Sequence, residues 1–362
     1  MLRRTFLGTM TSGALAAAAG PAAPLGMKLG FDSYSLRAWK WNAMQLLDYA
    51  ASLKLDTIQI SGLEEYESLE PGYLSKVKER AASARITIDA GIGSVCGTSK
   101  SWNPKNGTPT EYLTTGLKTA KAVGANSMRV FMGSWDDRTG PIPIDQHIAE
   151  TVKAMKSVRT LALDLGVKIA IENHNGDLQA REVRSLIEEA GKDYVGSCLD
   201  TGNPMWAMED PLLTLEILGP YAVTTHVRDS VVFEHPRGAA WQWVALGDGV
   251  VDFKRFMVRA KQLCPNTAVQ IENITGRPPH VTPYLEPDYW KYYPNARAAD
   301  FASFVALARR GHPLMETMVV EDVGGKKPPE YEEALKVQQK RDLERSLEYA
   351  KRELGLGINC RA

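Results

Sequence analysis

The 362-residue chain predicts an α/β fold: a (β/α)8 barrel with an elaborated eighth βα connection and a closing C-terminal helix. Three observations carry that prediction. Eight short apolar runs alternate with amphipathic helical patterns, the rhythm of a parallel sheet covered on both faces. Eight such units most simply close on themselves, and one barrel commonly runs to about 250 residues or more. No GxGxxG turn follows the first strand, which disfavours the open doubly wound alternative.

Lys28–Tyr34 reads as the first strand and Asn42–Lys54 as the amphipathic helix after it. Thr57–Ser61 is the second strand, and Pro71 opens a charged helix to about Ala84. Ile86–Gly93 is the third strand, with glycines at its exit and a helix at Thr108–Val123 after a loop holding Trp102 and Pro104. Ser127–Gly133 is the fourth, followed by one long helix over Ile144–Leu165. Lys168–Glu172, Tyr194–Asn203, Ala222–Asp229 and Ala268–Asn273 are the last four strands. The rhythm then loosens: residues 274–327 carry Pro278, Pro279, Pro283 and Pro287 with Tyr284, Tyr289, Trp290, Tyr292 and Tyr293, and then a helical patch at Ala299–Arg310. So long a stretch reads as an insertion in the eighth connection rather than a plain loop. Pro328-Pro329 opens the last amphipathic helix, to about Gly355. A single domain over residues 27–362 follows.

Composition narrows the function classes. Lys plus Arg and Asp plus Glu are 43 each, so the chain has no net charge to attract nucleic acid or an anionic membrane. Cys96, Cys198, Cys264 and Cys360 are far apart, without a CxxC or zinc-ribbon pattern, and imply no disulfide framework. The N-terminus resembles a twin-arginine export signal: Arg3-Arg4, then Phe6-Leu7, an Ala-rich run to Gly20, and a small-residue cleavage region. The run is too short and Ala-rich for a stable membrane anchor, and no cysteine stands by for lipidation. Residues 1–26 are therefore read as a signal segment. The export machinery becomes a partner, and the periplasm or the exterior the destination.

The chemistry sits at strand ends. Glu172, Asp200, His226 and Glu272 each stand at the C-terminal tip of a strand, on four successive strands. In a barrel those tips form an arc on the face where catalytic residues gather. A strand tip so polar is costly to bury unless something binds there. Three carboxylates and an imidazole suit one divalent cation, Mn²⁺ first, with Mg²⁺, Co²⁺ or Zn²⁺ as alternatives.

The motifs around these residues are Ile171-Glu172-Asn-His174, Leu199-Asp200-Thr-Gly-Asn203, Thr225-His226-Val-Arg228-Asp229, Leu246-Gly-Asp248-Gly249-Val-Val-Asp252-Phe253 and Ile271-Glu272-Asn273. In that order they resemble the xylose isomerase-like TIM-barrel superfamily, in its sugar (phosphate) isomerase/epimerase branch. The resemblance is specific over residues 168–273; the first half fits by strand–helix rhythm alone. It implies that Glu172, Asp200, His226 and Glu272 bind one divalent cation, and that Glu172 and Glu272 flank a sugar as acid and base. Proton removal on one face and return on the other epimerises, return at the next carbon isomerises, and a leaving group at the β-carbon is eliminated.

Two departures matter. Multi-zinc relatives, such as the apurinic endonuclease branch, have a histidine where this chain has Asn203. Arg228, two residues after His226, competes with a second metal. A single-metal site is expected and nuclease chemistry is disfavoured. Asn203 also alters a sugar-contacting position of the ketose epimerases, so the resemblance does not name the sugar.

His174 is read as a substrate contact or as a group satisfying strand-end backbone. Arg228 is read as an oxyanion or hydroxyl contact or as a surface ion pair with Asp229. Asp248 either orients His226 from behind or is a turn residue. Trp241, Trp243, Tyr289 and Trp290 form a sugar-stacking lid, internal packing or a homo-oligomer interface. The functional expectation is a metal-dependent sugar isomerase or epimerase. A lyase or dehydratase on keto-sugars or keto-glycosides stands second, and a non-catalytic sugar-binding barrel third.

Overall fold

The computed structural model describes residues 22–315 and 320–359. The eight barrel strands are β1 (Leu29–Asp32), β2 (Thr57–Ile60), β3 (Thr87–Ser94), β4 (Ser127–Phe131), β5 (Lys168–Glu172), β6 (Val195–Asp200), β7 (Ala222–His226) and β10 (Val269–Ile271). They form one parallel sheet in the order β10-β1-β2-β3-β4-β5-β6-β7. Its two edges meet at Val227, whose N–H donates to Gln270 O at 2.8 Å and whose carbonyl accepts from Glu272 N–H at 3.0 Å. The sheet thus turns back on itself as a barrel, which leaves its edge strands little to offer another chain.

Helices α1 (Ala43–Ser52), α2 (Pro71–Ser83) and α3 (Pro109–Val123) cover the first half. The Asn42–Gln45 and Thr108–Glu111 capping boxes start α1 and α3 by pairing amides that a helix N-terminus leaves unbonded. A short α4 (Trp135–Arg138) precedes α5 (Ile144–Ser157) and α6 (Arg159–Leu165). The single helix read over 144–165 is therefore two, because buried Val158 leaves the helical region at φ −110°, ψ 9°. Beyond these, α7 (Ala180–Ala190), α8 (Pro211–Leu218) and α9 (Phe253–Leu263) complete the ring.

Register sets the height of the functional groups. Asp200 pairs directly with His226 across β6 and β7, and Asp32 with Gln59 across β1 and β2. Phe31 lies opposite Ile271, so Asp32 and Glu272 are level. Below them the barrel interior is polar: Asp89 accepts from Ser127 Oγ at 2.8 Å and from Gln270 Nε2 and Thr224 Oγ1 at 2.9 Å.

The main departure from the sequence reading lies in the last two connections. A hairpin, β8 (Asp229–His235) and β9 (Gly238–Val244), follows β7, and β11 (His280–Thr282) joins it as a three-stranded antiparallel sheet, β11-β9-β8. The elaboration is thus shared between the seventh and eighth connections. Helix α10 (Ala298–Arg310) packs beneath this sheet, and Trp241, Trp243, Tyr289, Tyr293, Phe304 and Leu307 form a second hydrophobic core beside the barrel. Helix α11 (Pro329–Arg352) closes the ring against the first strand's exit, where Trp39 Nε1 donates to Lys336 O at 3.1 Å.

Of the signal segment read at 1–26, residues 1–21 lie outside the described residues. Residues after them join the body: Leu25 N–H donates to Gly355 O at 3.0 Å, and Gly357 N–H to Met27 O at 3.0 Å. Cys96, Cys198 and Cys264 are buried and free, and Cys360 lies outside the described residues. No helix among the described residues is long and apolar enough to cross a membrane.

Candidate active site and metal centre

The four strand-tip residues converge. One ligand atom each from Glu172, Asp200, His226 and Glu272 falls within 4.8 Å of all the others, and all four side chains are buried. His226 Nδ1 lies 3.3 Å from Glu172 Oε1, 3.4 Å from Glu272 Oε2 and 3.9 Å from Asp200 Oδ2. His226 Nδ1, Asp200 Oδ2 and Glu272 Oε2 make no hydrogen bond, although Arg228 is in ion-pair contact with both carboxylates. Buried polar atoms of this kind normally find partners. Orphaned acceptors aimed at one point fit a cation. The same shortage shows in the titration: burial disfavours a charged His226, yet the Glu172 and Asp32 carboxylates outweigh it and raise its pKa well above the ordinary value. Asp200, pushed up by burial against the pull of Arg228, sits at about 6. Cys198 also reaches the cluster, but burial lifts its thiol to about 11 and so keeps it neutral.

The surroundings fix these groups. Asp32 Oδ2 is 3.5 Å from His226 Nε2, and the Gln59 amide nitrogen is 2.5 Å from the same ring atom. Groups behind a ligating imidazole orient its ring, and these two turn Nδ1 on the cluster. Arg129 Nε donates to Glu172 Oε2 at 2.5 Å, and Asn203 Nδ2 to Glu172 Oε1 at 3.0 Å. Arg228 Nη2 donates to Asn203 Oδ1 at 3.0 Å, and its guanidinium lies 4.3 Å from the Trp243 ring centre. Gly202 makes room for it, since a Cβ there would sit 2.3 Å from Arg228 Nε. The buried carboxylates of Asp32, Glu172, Asp200 and Glu272 face the two buried guanidiniums of Arg129 and Arg228. One dication brings the set to neutrality.

The cluster opens into a cavity of about 1090 Å³. His174 lines it, stacked on Phe131 at 4.0 Å, and donates Nδ1–H to Gly133 O at 2.6 Å. Burial lowers His174 to about 4, so it is neutral with its Nε2 lone pair available. Asn203, Arg228, Trp241 and Trp243 line the same cavity, as does Trp206.

The structure places three further groups of residues singled out in the sequence. Arg228 and Asp229 are not a surface pair: both are buried, and Asp229 accepts from the backbone N–H groups of Gly247, Gly249 and Val251 at 3.1, 3.1 and 3.3 Å. Asp248 does not stand behind His226. It sits in the turn between two glycines and pairs with Arg345 of α11, while Asp32 and Gln59 occupy the position proposed for it. Tyr289 belongs to the second core; Trp290 packs against it and donates Nε1–H to Tyr284 O at 2.8 Å. Sequence reasoning missed Asp32, Gln59 and Arg129. Their signal was faint: Asp32 ends β1, and Gln59 and Arg129 share their strands with the polar Thr57 and Ser127.

Comparison with known proteins fits this geometry. The model of the xylose isomerase-like TIM barrel family matches residues 47–274. A 3-oxo-isoapionate decarboxylase of Pectobacterium atrosepticum is 24% identical over 242 residues, 63% of this chain and 78% of that protein. The D-psicose 3-epimerase of Clostridium cellulolyticum superposes with a TM-score of 0.56 at 18% identity, covering 78% of this chain and 96% of the other. The 3-keto-D-glucoside 4-epimerase of E. coli does so with a TM-score of 0.53 at 14% identity, over 74% and 97%. At these identities the solved structures speak for the fold alone. The family match spans more than half of the chain, and the chain belongs to the xylose isomerase-like TIM barrel family.

Proposed function

We propose that the protein is a single-metal sugar isomerase or epimerase that transfers a proton at the carbon next to a carbonyl, with Glu172 and Glu272 as the acid–base pair. One observation carries the reading: two carboxylates, from β5 and from the end of β10, approach the same four-ligand cluster inside one cavity. The donor set and its charge balance favour a hard divalent ion, Mn²⁺ first. Such an ion, when bound, supplies Lewis-acid stabilisation of charge on a substrate oxygen.

The chain's own residues do the rest. Glu172 is held at both oxygens, by Arg129 and Asn203, and so keeps one orientation. Glu272 is in ion-pair contact with Arg228 through Oε2 alone, which leaves its other oxygen the freer one to take a proton. The other carboxyl returns a proton to the opposite face or to the neighbouring carbon. His174 accepts from a substrate hydroxyl through Nε2, and Arg228 and Asn203 orient the oxygens beside the reacting carbon. The twin-arginine-type N-terminus supports export, and a periplasmic or secreted enzyme meets free or oxidised sugars and keto-glycosides rather than sugar phosphates.

A lyase is the second reading. The likeness to a relative named as a decarboxylase favours it, because a carbanion beside a carbonyl arises equally by loss of carbon dioxide or collapses by expelling a β-substituent. Product analysis by NMR separates the two: an epimer or isomer supports the first, a dehydrated or decarboxylated product the second.

A further inference from the structure

We propose that Glu65 is a substrate-contacting specificity residue, set across the barrel mouth from the metal cluster, and that with Glu64 it restricts the site to uncharged sugars. This rests on the sugar chemistry proposed for the same site. Glu65 ends the short 3-10 turn Leu63–Glu65 after β2, on the side of the barrel opposite β6. Its Oε2 is pinned by Ser33 Oγ, which donates at 2.7 Å, and by Ser61 N–H at 3.0 Å. Ser61 in turn donates its hydroxyl to Asp32, the carboxylate behind His226. The packing that orients a metal ligand therefore also fixes this third carboxyl, which lines the same cavity as Glu172 and Glu272.

Charge at the cavity wall gives the specificity. Its guanidiniums are Arg129, Arg228 and Arg277: Arg129 faces Glu172, Arg228 faces the Asp200–Glu272 pair, and Arg277 lies 3.8 Å from Asp322, which is paired with Arg37. His280 is lowered to about 4 by burial and carries no charge at neutral pH. On the cluster side the wall holds its two buried guanidiniums, each already facing carboxylates. What it offers opposite the cluster is Glu64 and Glu65. Burial, reinforced by Asp32 and Glu64, lifts the Glu65 carboxyl to about 8. At neutral pH it can both donate to and accept from a sugar hydroxyl, and an anion placed there would meet Glu64.

The test is binding, by titration calorimetry at pH 7 on the Mn²⁺-loaded protein. The probes are neutral ketoses and methyl 3-keto-glycosides, each paired with the analogue bearing a terminal carboxylate, as L-sorbose with 5-keto-D-gluconate. The wild type should bind the neutral member of a pair at least tenfold more tightly. Glu65→Ala should lose about tenfold in neutral-sugar affinity at unchanged metal content, and Glu65→Arg should close the gap to less than threefold. Glu64→Lys, a change at an exposed position, should narrow it at least threefold should Glu65→Arg fail to fold. Equal binding of neutral and acidic members, a gap that no variant moves, or no binding of any probe overturns the proposal. Selective binding without solvent proton exchange would sink the proton-transfer reading and leave this one standing.

Discussion

At the scale of single residues, the site depends on what stands behind it as much as on its ligands. Asp32 contacts only the far nitrogen of His226, yet it helps set how the ring faces the cluster. Asp32→Asn should lower affinity for Mn²⁺ about 10–100-fold, the usual effect of losing such a partner, with the fold intact by circular dichroism. A competition titration with a metal indicator measures it, and an unchanged affinity would mean that Gln59 alone orients the ring. The four candidate ligands were legible in the sequence because ligand-type side chains at four successive strand tips are hard to explain otherwise. Asp32, Gln59 and Arg129 were not read, because a polar residue inside a strand declares its partner only after the barrel closes. Gln59 meets His226 from a strand five βα units away in sequence. Asp248 misled for the same reason: lying between two glycines, it could be placed only by knowing that α11 brings Arg345 to it.

At the scale of elements, the β8–β9 hairpin and the second core roof the cavity and brace Arg228. Trp243 joins these tasks. Its ring is largely buried in the second core, carries the Arg228 guanidinium on its face, and donates Nε1–H to Gly202 O at 2.9 Å. Trp243→Ala removes all three contacts and should cost about 3–5 kcal/mol, read as a lower urea midpoint. A loss below about 1 kcal/mol would show the roof to be independent of the barrel. The barrel strands were legible because a fully covered parallel strand is a nearly unbroken apolar run. The hairpin was overlooked although its signal was present: residues 229–235 and 238–244 flank a Pro236-Arg237 turn. The aromatic residues after Pro283 gave no indication of which surface they cover, since only the hairpin creates that surface.

At the scale of the whole molecule, a neutral chain conceals a strongly charged interior, and stability should follow pH accordingly. Glu209 is buried, caps the start of α7 by accepting from Ala180 N–H at 3.0 Å, and is raised by burial from 4.5 to about 8. The folded state therefore binds more protons than the unfolded one between those values. Its contribution is fully present below about pH 4.5 and is lost as pH rises through about 8. Against the metal-free wild type, Glu209→Gln should gain in relative Tm from pH 5 to pH 8, by about 2 °C or more. Parallel melting curves would place the carboxyl's titration elsewhere.

The central claim is proton transfer beside a carbonyl, and deuterium incorporation tests it most directly. Mn²⁺-loaded protein is incubated in D₂O with ketoses, aldoses and methyl 3-keto-glycosides and followed by NMR. The account predicts deuterium at a carbon adjacent to the carbonyl of at least one sugar. It further predicts that chelation or Glu272→Gln abolishes the exchange, by about 100-fold or more for the variant. Exchange that persists in Glu272→Gln, or a metal-replete wild type that exchanges no sugar in the panel, would contradict it.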